Sequence, residues 1–355
     1  MSSRLANIPS TMRAWTYSTR GTPRQVLSIQ NIDFSSRPVS DEVLIKIAYA
    51  GLTPGDAQLM RLVPTILRPK NTVPAYDYSG TIAARGPNAP SHLQVGLPVY
   101  GTLARSNVFK GKGALADYML VSTNAAMVAP VPTNVSLRDA CTLGSAGYMA
   151  LLIIKHGGLK PNNGYRVLVN GASGGIGSMA VQAIRGLGVR EIVAICSAPN
   201  AELVKRLGAD RVVDYRAHPV LHEYLAETFG DDPFDFILDT VGVQSLYVNS
   251  PSYLKRDGVY ENVGDFENRI LLTSWYRFTN LWWPTILGGT PRRYVTFGGD
   301  FYKDICQELE ALVAEGKLNA TVDREVAFEE AIEAIELVNS RRAKGRVVVK
   351  VNDVQ

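Results

Sequence analysis

The sequence predicts an α/β protein in which a β-rich part is followed by a doubly wound parallel sheet. Three observations predict it. Up to about residue 135, short apolar runs alternate with turns and no long helical period appears. From Tyr165 to Gly264, continuous apolar strands alternate with amphipathic helices, the pattern of a parallel sheet covered on both faces. Between the first of those strands and its helix lies the glycine run "NGASGGIG", where the backbone must turn tightly.

The first part reads as strands. "RAWTYS", "VLSIQNI" and "DEVLIKIAYAG" have period-two patterning, and "YSGTIAARG", "GLPVYGTL" and "ALADYMLVS" follow with Gly and Pro between them. "SLRDACTLGSAGYMALLIIKHGG" has helical length and a serine at its start that can cap the first turn. The parallel part then runs "RVLVN", "IGSMAVQAIRGLG", "EIVAIC", "AELVKRLGA", "RVVDY", "FDFILDTVG", "LYVNSPSYLK" and "GVYENVG". The tail holds the helices "KDICQELEALVAEGK" and "FEEAIEAIELVNSR" and the strand "GRVVVKV".

Composition narrows the function. The net charge of +4 is too mild for a nucleic-acid surface. The short basic runs "TPRRY" and "NSRRAKGR" read as solvated faces or as contacts to a ligand phosphate, and Arg346, which ends the second, is counted with the cofactor residues. Three scattered cysteines form no CxxC, so unpaired thiols in a reducing compartment, the cytoplasm, are expected. The four histidines lie outside any HExxH or His–Cys cluster, which disfavours a metal site. No apolar run approaches ~18 residues, so no membrane span is expected. The first dozen or so residues lack the apolar core of a secretory signal and read as a disordered lead-in, with a transit peptide the alternative.

The glycine loop carries the sharpest local signal. Gly171, Gly174, Gly175 and Gly177 follow a buried strand and open a helix, with Ser173 and Ile176 among them. Glycines let the backbone approach a pyrophosphate, and the helix start offers N–H donors and a positive dipole end. Val263 and Gly264, closing "GVYENVG", join this cofactor set. A site for NAD places an acid after the second strand to hold the ribose 2′-hydroxyl. Here that stretch reads "CSAPN", with Ser197 and Asn200 and no acid, and Tyr215 and Arg216 follow the next strand. NADPH is therefore the expected cofactor. The loop also fits the GxxxGxG of short-chain dehydrogenases, but none of the 16 tyrosines has the lysine four residues on that those enzymes need.

Taken together, "GALADYMLV", "GGLKPNNGYRVLVNGASGGIGSMAVQAIRGLG", "LGADRVVDYR", "FDFILDTVG" and the tail from "LVAEGKL" to "GRVVVKV" resemble the medium-chain dehydrogenase/reductase superfamily, in particular its zinc-free quinone-oxidoreductase and enoyl-reductase branch. The matches keep the family's order over nearly the whole chain. "CSAPNAELVKRLGAD" resembles fungal members, including reductases of polyketide pathways. The resemblance implies a GroES-like catalytic domain built from residues 1–137 and 291–355, a Rossmann domain at 138–290 inserted between them, and an active site in the cleft between the two. It implies Ser197, Asn200 and Tyr215 at the NADPH 2′-phosphate, though many relatives carry lysine at the position of Asn200.

It also implies what became of the zinc. Relatives that hold a catalytic zinc use Cys, His and Cys in the stretches that here read "GLTPGD", "PAYD" and "GSAG". Thr53, Tyr76 and Ser145 stand at those three positions, so no metal is expected. The neighbour Asp77 is expected to pair with a cation or with backbone amides, and Tyr78 to share a face with Tyr76. Without a Lewis acid, an activated acceptor such as an enone or a quinone is the expected substrate: hydride goes to a conjugated carbon, and hydroxyl donors stabilise the charge that collects on oxygen. Thr53, Tyr76 and Ser145 are the candidate donors, and Tyr76 the candidate proton source, with water as the alternative. Three further readings stay open: a pathway reductase acting on a polyketide-derived, carrier-bound substrate; a non-enzymatic NADPH-binding protein; and, for assembly, a homodimer formed by extending the Rossmann sheet against a monomer working with a synthase. "NLWWPTILGGTPRRYVTF" reads as a substrate-side lid or a dimer edge.

Overall fold

The computed structural model describes residues 8–34, 37–104, 110–265, 270–296 and 302–353. Residues 1–7 of the expected lead-in and Phe297 of the aromatic segment lie outside them. The chain divides into two compact units, one of Met1–Ala146, Phe301–Glu315 and Asn319–Gln355, the other of Gly147–Asp300 and Gly316–Leu318.

Along the chain the strands are β1 (Thr11–Thr16), β2 (Ser28–Asp33), β3 (Glu42–Leu52), β4 (Asp77–Arg85), β5 (Pro98–Leu103), β6 (Tyr118–Ser122) and β7 (Ala126–Pro130), then β8 (Arg166–Asn170), β9 (Glu191–Cys196), β10 (Arg211–Asp214), β11 (Phe234–Asp239), β12 (Leu254–Asn262) and β13 (Arg293–Thr296), and last β14 (Val322–Ala327) and β15 (Arg346–Lys350).

In the first unit β1 and β2 form an antiparallel pair, and a seven-stranded sheet runs β14-β15-β3-β4-β5-β7 with β6 also paired to β3. β3 is its axis. Val43, Ile45, Ile47 and Leu52 are buried, and they pack with Tyr78, Ile82, Val99, Val347 and Val349 into one core. Burial of each such side chain stabilises by about 1.5–3 kcal/mol. The helix Pro54–Leu62 follows β3 directly, starting at a Thr-Pro pair that suits a helix N-terminus. The strand pattern of the region did not show it.

In the second unit the strand order is β10-β9-β8-β11-β12-β13, every pair parallel. Numbered within the sheet this is 3-2-1-4-5-6, and the order reverses between β8 and β11, the place where such sheets leave a crevice at their carboxyl ends. All five residues of β8 are buried, which explains its unbroken apolar reading.

Both expected domain boundaries shift. β13 lies beyond residue 290 yet pairs with β12, Tyr260 opposite Tyr294, because its side chains complete the tyrosine cluster with Tyr247. At the other end, the turn Leu137–Ala140 belongs to the first unit, where Ser79 Oγ donates to the Leu137 carbonyl.

The helix Ile270–Trp282 is inverted. Its inner face is polar: Thr273 bonds Asp265, Arg277 Nη2 donates to the Gly264 carbonyl at 3.2 Å, and Asn280 exchanges two amide bonds with Gln244. Its outer face carries Trp275, Phe278 and Trp282, 55%, 53% and 72% exposed. A helix whose apolar stripe faces outward defeats the usual reading of amphipathic pattern, and no element is read there from the sequence.

Candidate functional site

The glycine loop of the second unit is built for close approach. Gly171 has φ +77°, and a side chain there would collide with the Thr240 hydroxyl. A side chain at Gly177 would collide with the Gly171 carbonyl. Gly174 caps the helix Gly175–Gly186 and has no side chain to occupy its first N–H groups. A Cβ added at Gly174 would meet only the Gly171 carbonyl, at 3.3 Å. This uncapped, glycine-walled helix start fits a pyrophosphate.

Beside it, the residues expected at a 2′-phosphate come together. Asn200 Nδ2 donates to Ser173 Oγ at 2.9 Å, joining the loop after β8 to the turn after β9. Asn200 N donates to the Ser197 carbonyl at 2.8 Å. Asn200 Oδ1 is buried without a hydrogen-bond partner among the described residues, an unmet polar atom of the kind a ligand satisfies. Tyr215 is half exposed after β10, with the Arg216 guanidinium over its ring at 5.7 Å. Asp214 stands nearby, but its Oδ1 accepts the Arg216 amide at 3.0 Å. At the far strand ends, Gly264 N donates to Asn262 Oδ1 at 2.8 Å and Val263 N to the Asp239 carbonyl at 3.1 Å. The uncapped, glycine-walled helix start thus fits a dinucleotide pyrophosphate, and the unmet Asn200 oxygen is an acceptor for a donor on the ligand.

The three hydroxyl positions lie in the first unit. Thr53 is the N-cap of Pro54–Leu62: its N–H and its hydroxyl both donate to Asp56 Oδ2, at 2.7 and 3.0 Å. Asp56 Oδ1 accepts Ala75 N at 2.9 Å. Burial pushes the Asp56 carboxyl up to about 6, although these donors pull it down. Ala75 has φ +75°, a conformation costly for a residue with a Cβ. The Asp56 bond helps hold it, and the chain leaves that kink straight into Tyr76. A Cβ at Gly55 would lie 3.3 Å from Thr53 Oγ1 and 3.6 Å from the Tyr76 hydroxyl, so both side chains border the space that the missing side chain leaves.

Asp77, the first residue of β4, is wholly buried. It accepts Ser145 N at 2.8 Å, the Ser145 hydroxyl, and a guanidinium nitrogen of Arg346. Gly51 of β3 stands opposite Asp77, and a Cβ there would sit 3.4 Å from Arg346 Nη2 and 2.8 Å from the Cys141 carbonyl. Its lack of a side chain lets the arginine of β15 cross one strand to reach the aspartate of β4.

Two expectations change in consequence. Arg346, counted with the cofactor residues, is 6% exposed and engaged with Asp77 in the first unit, because it starts the inner strand β15. The hydroxyls of Thr53 and Ser145, expected to donate to substrate, donate instead to Asp56 and Asp77. Tyr78 is fully buried and donates to the Met127 carbonyl at 2.7 Å, whereas Tyr76 stands one residue before β4 and is partly buried. Among the described residues no group of three or more His, Cys, Asp or Glu is placed to hold a metal ion. The sequence reading missed Asp239, whose five hydrogen bonds are described below. The acid that ends "FDFILD" at a parallel strand's carboxyl end was the available signal.

Comparison with known proteins agrees with this architecture. Residues 39–133 match the family model of the alcohol dehydrogenase GroES-like domain, and residues 207–349 that of the zinc-binding dehydrogenases. The medium chain reductase pydE of an Acremonium species is 34% identical, over 97% of this chain and 100% of that one. The trans-enoyl reductase poxH of Penicillium oxalicum is 30% identical, over 97% and 99%. Among solved structures, the quinone oxidoreductase of Coxiella burnetii superposes with a TM-score of 0.75 at 23% identity over 96% and 100% of the two chains. The CurK enoyl reductase also gives 0.75, at 20% identity over 96% and 99%.

Proposed function

Because this chain is a member of the medium-chain dehydrogenase/reductase superfamily, in its enoyl- and quinone-reductase-like branch, we propose that it is a zinc-independent, NADPH-dependent reductase of an activated double bond, acting on an enone of the kind handled in fungal polyketide pathways. The observation that carries the reading is the hydroxyl set. Thr53, Tyr76 and Ser145 replace thiol and imidazole donors, and two of the three already donate to buried carboxylates. Such a set is a poor metal ligand set, and Tyr76 is the hydroxyl we assign to the substrate, since it borders the space left at Gly55 beside Thr53.

When bound, the nicotinamide cofactor supplies the hydride that adds to the conjugated carbon. The glycine loop from Gly171 to Gly177 binds the pyrophosphate, with Ser173 and Ile176 in its wall, and Val263 and Gly264 border the cofactor farther along the strand ends. Ser197, Asn200 and Tyr215 bind the 2′-phosphate, with no acid among the three to repel it. Tyr76 would donate a hydrogen bond to the oxygen on which charge collects and give its proton to the enolate, and water would reprotonate the phenolate. Asp56 orients it through Ala75, and Thr53 lines the same space.

The test follows NADPH oxidation against a panel of enones and quinones. Turnover supports the reading, and turnover of quinones alone moves the substrate class. Silence across the panel favours a protein that binds NADPH without catalysis. Metal analysis of the active protein should find no stoichiometric zinc. Tyr76→Phe is expected to lower turnover by about a hundredfold, a usual contribution of a positioned acid, with the NADPH dissociation constant unchanged. An unaltered turnover would make water the proton source.

A homodimer is the proposed assembly. β13 ends the parallel sheet with β12 as its one pairing partner among the described strands, and Trp275, Phe278 and Trp282 present an apolar face on the neighbouring helix. Light scattering at the mass of one chain would instead support a monomer that meets a carrier-bound substrate. The three described cysteines are buried and unpaired and fit a cytoplasmic location, and no described helix is long and apolar enough to cross a membrane.

A further inference from the structure

Asp239 ends β11 with its side chain wholly buried. Five donors converge on it. Oδ1 accepts Asn170 Nδ2 at 2.8 Å, Val241 N at 2.9 Å and Gly242 N at 2.8 Å. Oδ2 accepts Val243 N and the Tyr260 hydroxyl, both at 2.8 Å. All five donors are uncharged. A carboxylate accepts on both oxygens, whereas a carboxamide accepts on one.

The donors come from the two strands β8 and β12 and from the loop after β11. Asn170 is the last residue of β8, immediately before the glycine loop, and Tyr260 lies near the end of β12, four residues before Gly264. The loop that leaves β11 is tied back to β8 as well, since Thr240 N and Thr240 Oγ1 donate to the Asn170 carbonyl at 3.1 and 2.8 Å. Gly242, at φ +87°, lies so close to Gly264 that a Cβ on it would come within 2.6 Å of the Gly264 carbonyl. One side chain therefore sets the spacing of the three loops at the carboxyl ends of β8, β11 and β12, where a parallel sheet of this order takes its ligand.

We propose that Asp239 is a positioning residue for the dinucleotide, holding the Gly171–Gly177, Thr240–Val243 and Val263–Gly264 segments in the relative placement that the bound cofactor requires. The proposal rests on the reading of this unit as the NADPH-binding one. Asp239 touches no cofactor atom in this account. It acts through Asn170, the Val241–Val243 amides and Tyr260.

Asp239→Asn turns one acceptor into a donor that faces existing N–H groups. NADPH titration of the folded variant is expected to give a dissociation constant raised about tenfold or more, tenfold being 1.4 kcal/mol. Tyr260→Phe removes a single donor and should raise it about two- to fivefold, as loss of one buried hydrogen bond does. KM for NADPH should rise while kcat at saturating NADPH holds. Melting of the cofactor-free protein separates a structural role: a lower melting temperature with a wild-type NADPH constant in the folded Asp239→Asn protein overturns the proposal. If Asp239→Asn does not fold, an unchanged constant in Tyr260→Phe overturns it equally. Wild-type protein that binds neither NADPH nor NADH would overturn the cofactor reading itself, which is a different result from variants that bind as well as wild type.

Discussion

Arg346→Met is expected to speed amide exchange in β3, β4 and β15 by a factor of about a hundred to several thousand, the loss of about 3–5 kcal/mol that follows when one partner of a buried ion pair is removed. Arg346 and Asp77 are both buried, and the variant would leave the Asp77 carboxylate with the two donors of Ser145 as its hydrogen-bond partners among the described residues. Hydrogen exchange is the suitable readout because it reports this unit alone. Asp77→Asn combined with Arg346→Met should be less costly than the sum of the two, since the double variant buries no unpaired charge. The arginine variant also separates the two roles open to this residue. A guanidinium engaged with Asp77 leaves the NADPH dissociation constant at its wild-type value, whereas a guanidinium that binds the cofactor does not.

Glu261→Gln is expected to stabilise the protein at neutral pH and not in acid. Glu261 lies in β12 between Leu238 and Val295, fully buried, and neither carboxyl oxygen has a hydrogen-bond partner among the described residues. Burial pushes its carboxyl up to about 8, with the Arg293 charge pulling the other way. The folded value lies above the unfolded one, so the contribution of Glu261 is fully present below the unfolded value of 4.5 and is lost as pH rises towards about 8. Glutamine keeps the shape and does not titrate. The unfolding free energy of the variant relative to wild type should therefore grow by roughly 3 kcal/mol between about pH 4 and pH 7, and level off above about pH 8. A difference that is flat in pH would mean that Glu261 is charged in the folded protein and has found a partner.

These two residues show where reading along the chain stops. Arg346 ended a short basic run and suggested a phosphate contact, but its partner Asp77 lies 269 residues away. Nothing local announces that Gly51 leaves the gap through which the two meet. Glu261 sat in "GVYENVG" as one polar letter in a strand, and its burial, in a strand flanked by β11 and β13, is a property of the folded sheet. The inverted helix Ile270–Trp282 and the short edge strand β13 were missed for a related reason. Periodicity reports which face differs, whereas the tertiary packing decides which face is turned inward.

By itself the sequence determined the parallel sheet, its continuous buried strands and the glycine turn that opens the helix Gly175–Gly186. Those features depend on local quantities: side-chain period, helix start, and the backbone angles that glycine alone adopts easily. It also determined that hydroxyl residues stand at Thr53, Tyr76 and Ser145. Only the tertiary structure decided where the protons of Thr53 and Ser145 go, that Asp56 and Asp77 receive them, and that Asp239 gathers donors from β8, β12 and the loop after β11. A hydrogen bond is made by whichever acceptor the fold brings within about 3 Å, and for Ser145 and Asp77 that acceptor lies 68 residues away along the chain.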